Sequence, residues 1–333
     1  MNHSAIRVVF MGTADFAVPS LQALVSAGYD VCLVVTRPDK PSGRGLTVTE
    51  TPVAAAAALL GIDVFKPTGL RDPAVQARLS ACAADFFVVA AYGRILPPAV
   101  LSMPRLGCVN VHGSLLPRYR GAAPIQWSVI NGDAETGVTI MMMDEGCDTG
   151  PILLSGKTPV RDEDTAATLF ERLAGMGPGL LLEALDGLAA GTLVPVAQDH
   201  SQATVAPIMD KDVGRIDWSR TSGQISCLVR GVEPWPGAFT VTSSGIRVRV
   251  FPFLKRIEAA AMAPDWHGQR PGTVLAAGGR YGDSMIVRTS DGAVAIDSVQ
   301  PSGARRMTPA AMVAGRRLHA GEVLGQTSGG RDE

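Results

Sequence analysis

Short apolar runs alternate with stretches of helical period through the first half of the chain. Arg7-Val-Val-Phe-Met-Gly12 is one such run, closed by a glycine, and residues 19–27 then carry helical spacing. Residues 31–36 form a second run, residues 52–60 read as a helix, residues 63–67 as a short strand and residues 72–82 as a helix. A third continuous apolar run follows at 85–91. Strands apolar on both faces, alternating with helices, predict an α/β fold whose parallel sheet is covered on both sides. In such sheets ligands bind beyond the carboxyl ends of the strands. That rule draws attention to Gly12-Thr13, Tyr92-Gly93-Arg94 and Asn110-Val-His112.

The same pattern continues with a strand ending at His112, a Gly-Ser turn, a helix over 122–131, a strand over 137–144, a loop over 145–150 and a return strand from 151. A helical region reaches about residue 188 and is expected to break near Gly175-Met-Gly-Pro178. Residues 192–207 have no helical period and read as a linker. Beyond it, short β-type runs separated by Ser-Ser-Gly and Ser-Asp-Gly turns predict a small barrel or sandwich. Arg247 and Arg249 alternate on one of those strands and share a face.

Composition modifies this picture little. A chain of 333 residues, 46% hydrophobic and 18% charged, suits a soluble protein of two domains. No run approaches the ~18 apolar residues of a membrane span. Five scattered cysteines, without Cys-x-x-Cys spacing, argue against a disulfide framework or structural zinc and favour a reducing cytoplasm. Residues 1–204 carry 14 basic and 19 acidic side chains, whereas residues 205–333 carry 16 and 12. A basic second part suits a polyanionic partner, although an imbalance of this size is routine on a small domain.

The candidate chemistry lies at the strand end. Asn110 and His112, spaced i, i+2, project to one face. An amide and an imidazole can together hold and polarise a carbonyl oxygen, and a carboxylate such as Asp148 can complete proton transfer. Alone, His112 reads as a structural histidine and Asp148 as ordinary turn chemistry. Together they fit transfer of an activated acyl group to an amine, since an α-amino group of pKa ~7.7–8 is partly neutral without a strong base. The Gly12 turn lacks the later glycines of Gly-x-Gly-x-x-Gly, which counts against a nicotinamide enzyme. Met141, Met142 and Met143 read as core, Trp218 and Trp235 as core or interface, and Cys108 and Cys147 as buried packing.

At these residues the chain resembles a known family. Asn110-Val-His112-Gly-Ser-Leu-Leu-Pro117, with Gly137 and Asp148-Thr-Gly150, is the signature of formyltransferases that use 10-formyltetrahydrofolate. Phe10-Met-Gly-Thr-Ala-Asp-Phe16, Arg37-Pro-Asp-Lys-Pro-Ser-Gly-Arg-Gly45, Gly121-Ala-Ala-Pro-Ile-Gln126, Arg215-Ile-Asp-Trp218, Pro234-Trp-Pro236 and Gly315-Arg-Arg-Leu318 extend the resemblance over nearly the whole chain. They point to the branch whose acceptor is the α-amino group of methionyl-initiator tRNA, in translation initiation.

The resemblance implies a Rossmann-like parallel-sheet catalytic domain (1–190), a linker (191–208) and a C-terminal OB-like β-barrel that binds tRNA (209–325). It implies Asn110, His112 and Asp148 as the catalytic trio. Ser114, Leu115, Leu116 and Pro117 would contact the folate, with Arg94, Ile95, Leu96 and the loop from Asp144 around the pterin. Lys40, Arg44, Arg247 and Arg249 would meet the tRNA. A cytoplasmic monomer without a metal is expected. The chain departs from the family in Leu46-Thr-Val-Thr-Glu50, where lysines are usual, and in residues 205–209, which lack the usual Tyr and Lys. Two other classes stay open: a relative acting on a small-molecule amine or water, and a non-catalytic RNA-binding module.

Overall fold

A computed structural model describes residues 3–42 and 47–325. The chain divides into two compact units. One comprises Met1–Pro124, Glu135–Pro159 and Phe170–Pro207; the other comprises Ile125–Ala134, Val160–Leu169 and Ile208–Glu333.

The first unit runs β1 (Arg7–Gly12), α1 (Val18–Ser26), β2 (Asp30–Val35), the hairpin strands β3 (Lys40–Ser42) and β4 (Thr47–Thr49), α2 (Pro52–Leu59), β5 (Val64–Phe65), α3 (Pro73–Ala81), β6 (Phe86–Ala90), α4 (Pro98–Leu101), β7 (Gly107–His112) and β8 (Arg120–Gly121). After α5 (Pro124–Ile130) come β9 (Glu135–Met142), β10 (Ile152–Pro159), α6 (Ala166–Ala189) and β11 (Val205–Ala206). Proline at the first turn and a side-chain cap start two of the helices: Thr51 accepts from Ala54 N–H at 3.2 Å, and Asp72 from Ala74 N–H at 2.8 Å.

Seven strands form the main sheet in the order β10-β9-β7-β6-β1-β2-β5. β7, β6, β1, β2 and β5 are parallel, and β6 is buried along its whole length, as its continuous apolar run predicts. This is the Rossmann-like α/β architecture. The sheet is nevertheless mixed: β9 runs antiparallel to β7, and β10 antiparallel to β9. An antiparallel neighbour needs no crossover helix, so the short β9–β10 connection suffices. Chain order reverses between β1 and β6, and their carboxyl ends are tied by Thr13 Oγ1 donating to Tyr92 O at 3.0 Å.

Two expectations need revision. α6 is one helix across Gly175-Met-Gly-Pro178, not two. Proline removes one hydrogen bond, but Leu173, Leu181 and Leu185, fully buried on either side of it, hold a single apolar stripe to the core. Residues 192–207, read as a linker, lie within the first unit. Val196 bridges Ile152, Arg120 N–H donates to Thr204 O at 2.8 Å, and β11 pairs in parallel with β8.

In the second unit α7 (Ser222–Gly231) is followed by β12 (Ala238–Val241), β13 (Arg247–Val250), β14 (Lys255–Glu258), β15 (Val274–Ala277), β16 (Met285–Arg288), β17 (Gly292–Ile296), β18 (Val299–Pro301) and α8 (Pro309–Ala314). They form two antiparallel sheets, β12-β13-β18 and β14-β17-β16-β15. Trp218 is core, its Nε1–H donating to Thr240 Oγ1 at 3.0 Å, whereas Trp235 is 53% exposed.

Gly137 on β9 shows why the signature carries glycine there. A Cβ would press on the carbonyl of Gly156 across the β9–β10 ladder and lie 2.6 Å from Leu115 Cδ2. Gly137→Ala is expected to cost about 1–3 kcal/mol through overpacking. Its melting temperature should fall by several degrees; an unchanged melting curve would refute this account of the contact.

Candidate active site

The site is built at the carboxyl end of β7. Strand alternation places Asn110 and His112 on one face and Val109 and Val111 on the other, and all four are buried. The chain then turns through Ser114. Thr139 on β9 pins this turn, its hydroxyl donating to Ser114 O at 2.6 Å while accepting from Leu116 N–H at 3.1 Å. Ser114 Oγ donates to Arg118 O at 2.6 Å. The Leu116–Pro117 peptide is cis.

Tyr119 sits at φ +60, in the left-handed region. Its carbonyl lies 2.9 Å from His112 Nε2. A carbonyl only accepts, so Nε2 carries a proton and the neutral ring keeps its lone pair on Nδ1. Nδ1 stands 3.6 Å from Asp148 Oδ2.

Asp148 also lies in the left-handed region, at φ +54. Its Oδ1 accepts from Asn110 Nδ2 at 3.2 Å and its Oδ2 from Gly121 N–H at 2.9 Å. Gly121 itself has φ +114, and a Cβ there would lie 2.8 Å from Ala206 O, so glycine is required for β8 to meet β11. The structure thus brings all three members of the expected trio together. It adds the Tyr119 carbonyl and the Gly121 N–H, backbone groups for which side-chain patterns carry no signal.

The other expected residues are placed as follows. Ser114 and Leu116 are buried, and Leu115 and Pro117 half-buried. Arg94 is half-buried and donates to Thr68 O at 2.5 Å and Pro67 O at 3.3 Å. Ile95 is 78% exposed, whereas Leu96 belongs to the core. Asp144 braces its own loop, accepting from Gly146 N–H at 3.0 Å and from Thr149 Oγ1 at 2.6 Å. Lys40 is exposed on β3, and Arg44 lies outside the described residues.

In the second unit Arg247 is exposed, its guanidinium 3.5 Å above the Phe239 ring. Arg249 is committed within that unit, donating to Glu233 Oε2 at 2.9 Å and Pro234 O at 2.7 Å. Arg118 stacks over Tyr119 at 5.0 Å.

Burial alone pushes the Cys108 thiol up to about 12, so it is no nucleophile at neutral pH. Cys147, expected to be buried, is exposed, with its Sγ 3.7 Å from Asp148 Oδ2. Among the described residues no group of three or more His, Cys, Asp or Glu is arranged to hold a metal, and no helix is long and apolar enough to cross a membrane.

An amide donor, a lone-pair imidazole nitrogen and a carboxylate converge at the end of β7. The formyl transferase family profile matches residues 6–185, and the formyl transferase C-terminal domain profile matches residues 208–317. The chain belongs to the formyl transferase family. It is 46% identical over 323 residues, 97% of each chain, to the methionyl-tRNA formyltransferase of Desulfotalea psychrophila.

Two solved structures share the fold. The N-formyltransferase from Helicobacter canadensis, in complex with folinic acid and dTDP-3-aminofucose, matches with a TM-score of 0.60 at 18% identity, over 89% of this chain and 99% of that one. HypX from Aquifex aeolicus, in complex with tetrahydrofolic acid, matches with a TM-score of 0.59 at 19% identity, over 94% of this chain and 47% of that longer one.

Proposed function

We propose that this chain transfers the formyl group of 10-formyltetrahydrofolate to the α-amino group of methionyl-initiator tRNA. The observation that carries this reading is the convergence of Asn110 Nδ2, His112 Nδ1 and the Asp148 carboxylate at the end of β7. The 46% identity to the Desulfotalea psychrophila enzyme, over 97% of each chain, supports methionyl-tRNA as the acceptor.

Each residue has a distinct task. One Asn110 amide hydrogen goes to Asp148, and the second donates to the formyl oxygen on which charge develops. His112 Nδ1 takes the proton that the amine sheds as its nitrogen bonds to the formyl carbon. The same nitrogen returns that proton to the departing nitrogen as the old C–N bond breaks. Asp148 steadies the ring in its charged form, because Nε2 is already engaged with Tyr119 O. When bound, 10-formyltetrahydrofolate supplies the activated formyl group.

This donor set fits a formyl group. In this reading Ser114, Leu115, Leu116 and Pro117 contact the folate, and exposed Ile95 with half-buried Leu115 and Pro117 offers it apolar side chains. Main-chain groups of 94–96 and of the loop from Asp144 supply its hydrogen bonds in this reading, with the Arg94 side chain bracing residues 67–68.

Residues 1–190 act as the catalytic domain. Residues 209–325, closing as an OB-like barrel, bind tRNA. Lys40, Arg44 and Arg247 meet tRNA phosphates. Arg249 contributes less, its charge being offset by Glu233.

Incubation with a labelled formyl donor tests the acceptor. Label should appear on charged initiator tRNA and not on free nucleotide-sugar amines. Label passing to a free amine, or leaving as formate while the tRNA stays unlabelled, would move the chain to the small-molecule or hydrolytic branch.

A further inference from the structure

We propose that Gln198 is a positioning residue that holds Asp148 in its reactive pose, an inference that rests on the reading of Asp148 given above. Gln198 lies in the segment 192–207, has no helical or strand pattern around it, and is only 6% exposed. Its carboxamide is fully used. Nε2 donates to Asp148 O at 2.9 Å and to Gly150 O at 2.7 Å. Oε1 accepts from Arg120 Nε at 3.1 Å and Nη2 at 2.7 Å. Two donated and two accepted bonds exhaust what an amide side chain can make.

The partners explain what this accomplishes. Asp148 holds a left-handed backbone conformation, disfavoured for a residue with a side chain, which persists only where its surroundings enforce it. Gln198 grips the carbonyl of Asp148 and that of Gly150, fixing the turn at two points. On its other side it takes the guanidinium of Arg120, the residue before Gly121, whose N–H binds Asp148 Oδ2. A closed circuit results: Asp148 carboxylate, Gly121, Arg120, Gln198 and back to the Asp148 main chain.

Arg120 is held in turn by β8–β11 pairing and by His200 Nδ1, 3.0 Å from its Nη2. Backbone and carboxylate of one residue are therefore anchored through a single side chain. Glutamate would keep the Arg120 contact but turn an oxygen without a hydrogen toward two carbonyls. That makes Gln198→Glu a near-isosteric test of the donated bonds, with Gln198→Met as the variant that removes them without adding a charge.

The experiment measures kcat, both KM values and the pH–rate profile for wild type, Gln198→Glu, Asp148→Asn and the double variant, with thermal melting to follow the fold. Misplacement of a reacting group by about 1 Å costs on the order of 10²-fold, so Gln198→Glu should lose about 10- to 100-fold in kcat. Its KM values should stay unchanged, and its pH–rate profile should differ from that of wild type. If Gln198 acts through Asp148, the double variant is no slower than Asp148→Asn alone; fully multiplicative losses overturn the proposal. Gln198→Met, similar in length but without a donor, gives the same reading should Gln198→Glu not fold. A wild-type kcat and pH profile in Gln198→Glu, with Asp148→Asn slow, removes the positioning role only. A wild-type kcat in Asp148→Asn removes the reading of Asp148 and this inference with it.

Discussion

Replacing His112 with alanine is expected to lower kcat by about 10²–10⁴-fold, the range of a general acid–base group. KM for charged tRNA and for the formyl donor should change little, because in the proposed mechanism Nδ1 acts on the reacting nitrogen and not on either substrate's distal parts. Two contacts define that role. The first is the bond from Nε2–H to Tyr119 O at 2.9 Å, which fixes the tautomer; the second is the 3.6 Å approach of Nδ1 to Asp148 Oδ2, which sets the carboxylate beside the nitrogen that takes up the proton. Alanine also leaves the Tyr119 carbonyl without its ring partner, at about 1–3 kcal/mol if it stays buried and unpaired. Rates should therefore be compared well below the variant's melting temperature. A parallel rise in KM with kcat preserved would assign His112 to substrate binding instead.

Asn110→Ala should cost about 2.7–4 kcal/mol of transition-state stabilisation, or 10²–10³-fold in kcat, as for loss of one oxyanion donor. The geometry is specific to the amide. Nδ2 donates one hydrogen to Asp148 Oδ1 at 3.2 Å, and the amide has a second hydrogen to donate. Asn110→Asp keeps the shape, removes the donor and sets a second carboxylate beside Asp148. It should be at least as slow as alanine, and steady-state kinetics of the pair checks this. An aspartate variant faster than the alanine variant would show that the side chain fills space and does not donate.

Much of the first unit was legible in the sequence because its strands are buried on both faces. The runs at 7–12, 31–36 and 85–91 became β1, β2 and β6 within a residue or two. The i, i+2 spacing of Asn110 and His112 was enough to place them together. Asp148 was different: it lies 38 positions from Asn110, and no spacing rule joins the two. Its physical route is the β9–β10 hairpin. β9 lies against β7 with Met141 opposite Asn110, so the loop after Met142 returns to the site. The return strand from 151 was legible, but an apolar run carries no sign for its direction, so the antiparallel pairing of β9 with β7 was not.

Residues 192–207 escaped for another reason. They are fixed by side-chain-to-backbone bonds of Gln198 and Thr204, which leave no hydrophobic period. α6 misled because glycines and a proline look like a break until the stripe of buried leucines around them is seen. In the second unit the Ser-Ser-Gly and Ser-Asp-Gly turns marked the β12–β13 and β16–β17 hairpins, whereas β14 and β18 carried no such signal. The pairing of Arg249 with Glu233, 16 residues away, could not be read from alternation along β13.

The most direct test of the central claim is single-turnover formyl transfer to methionyl-initiator tRNA, with enzyme in excess, by wild type and His112→Ala, alongside tRNA affinity measured separately. The account predicts N-formylmethionyl-tRNA from the wild type and a chemical step slowed about 10²–10⁴-fold in the variant at unchanged tRNA affinity. Transfer at the wild-type rate by His112→Ala would contradict it.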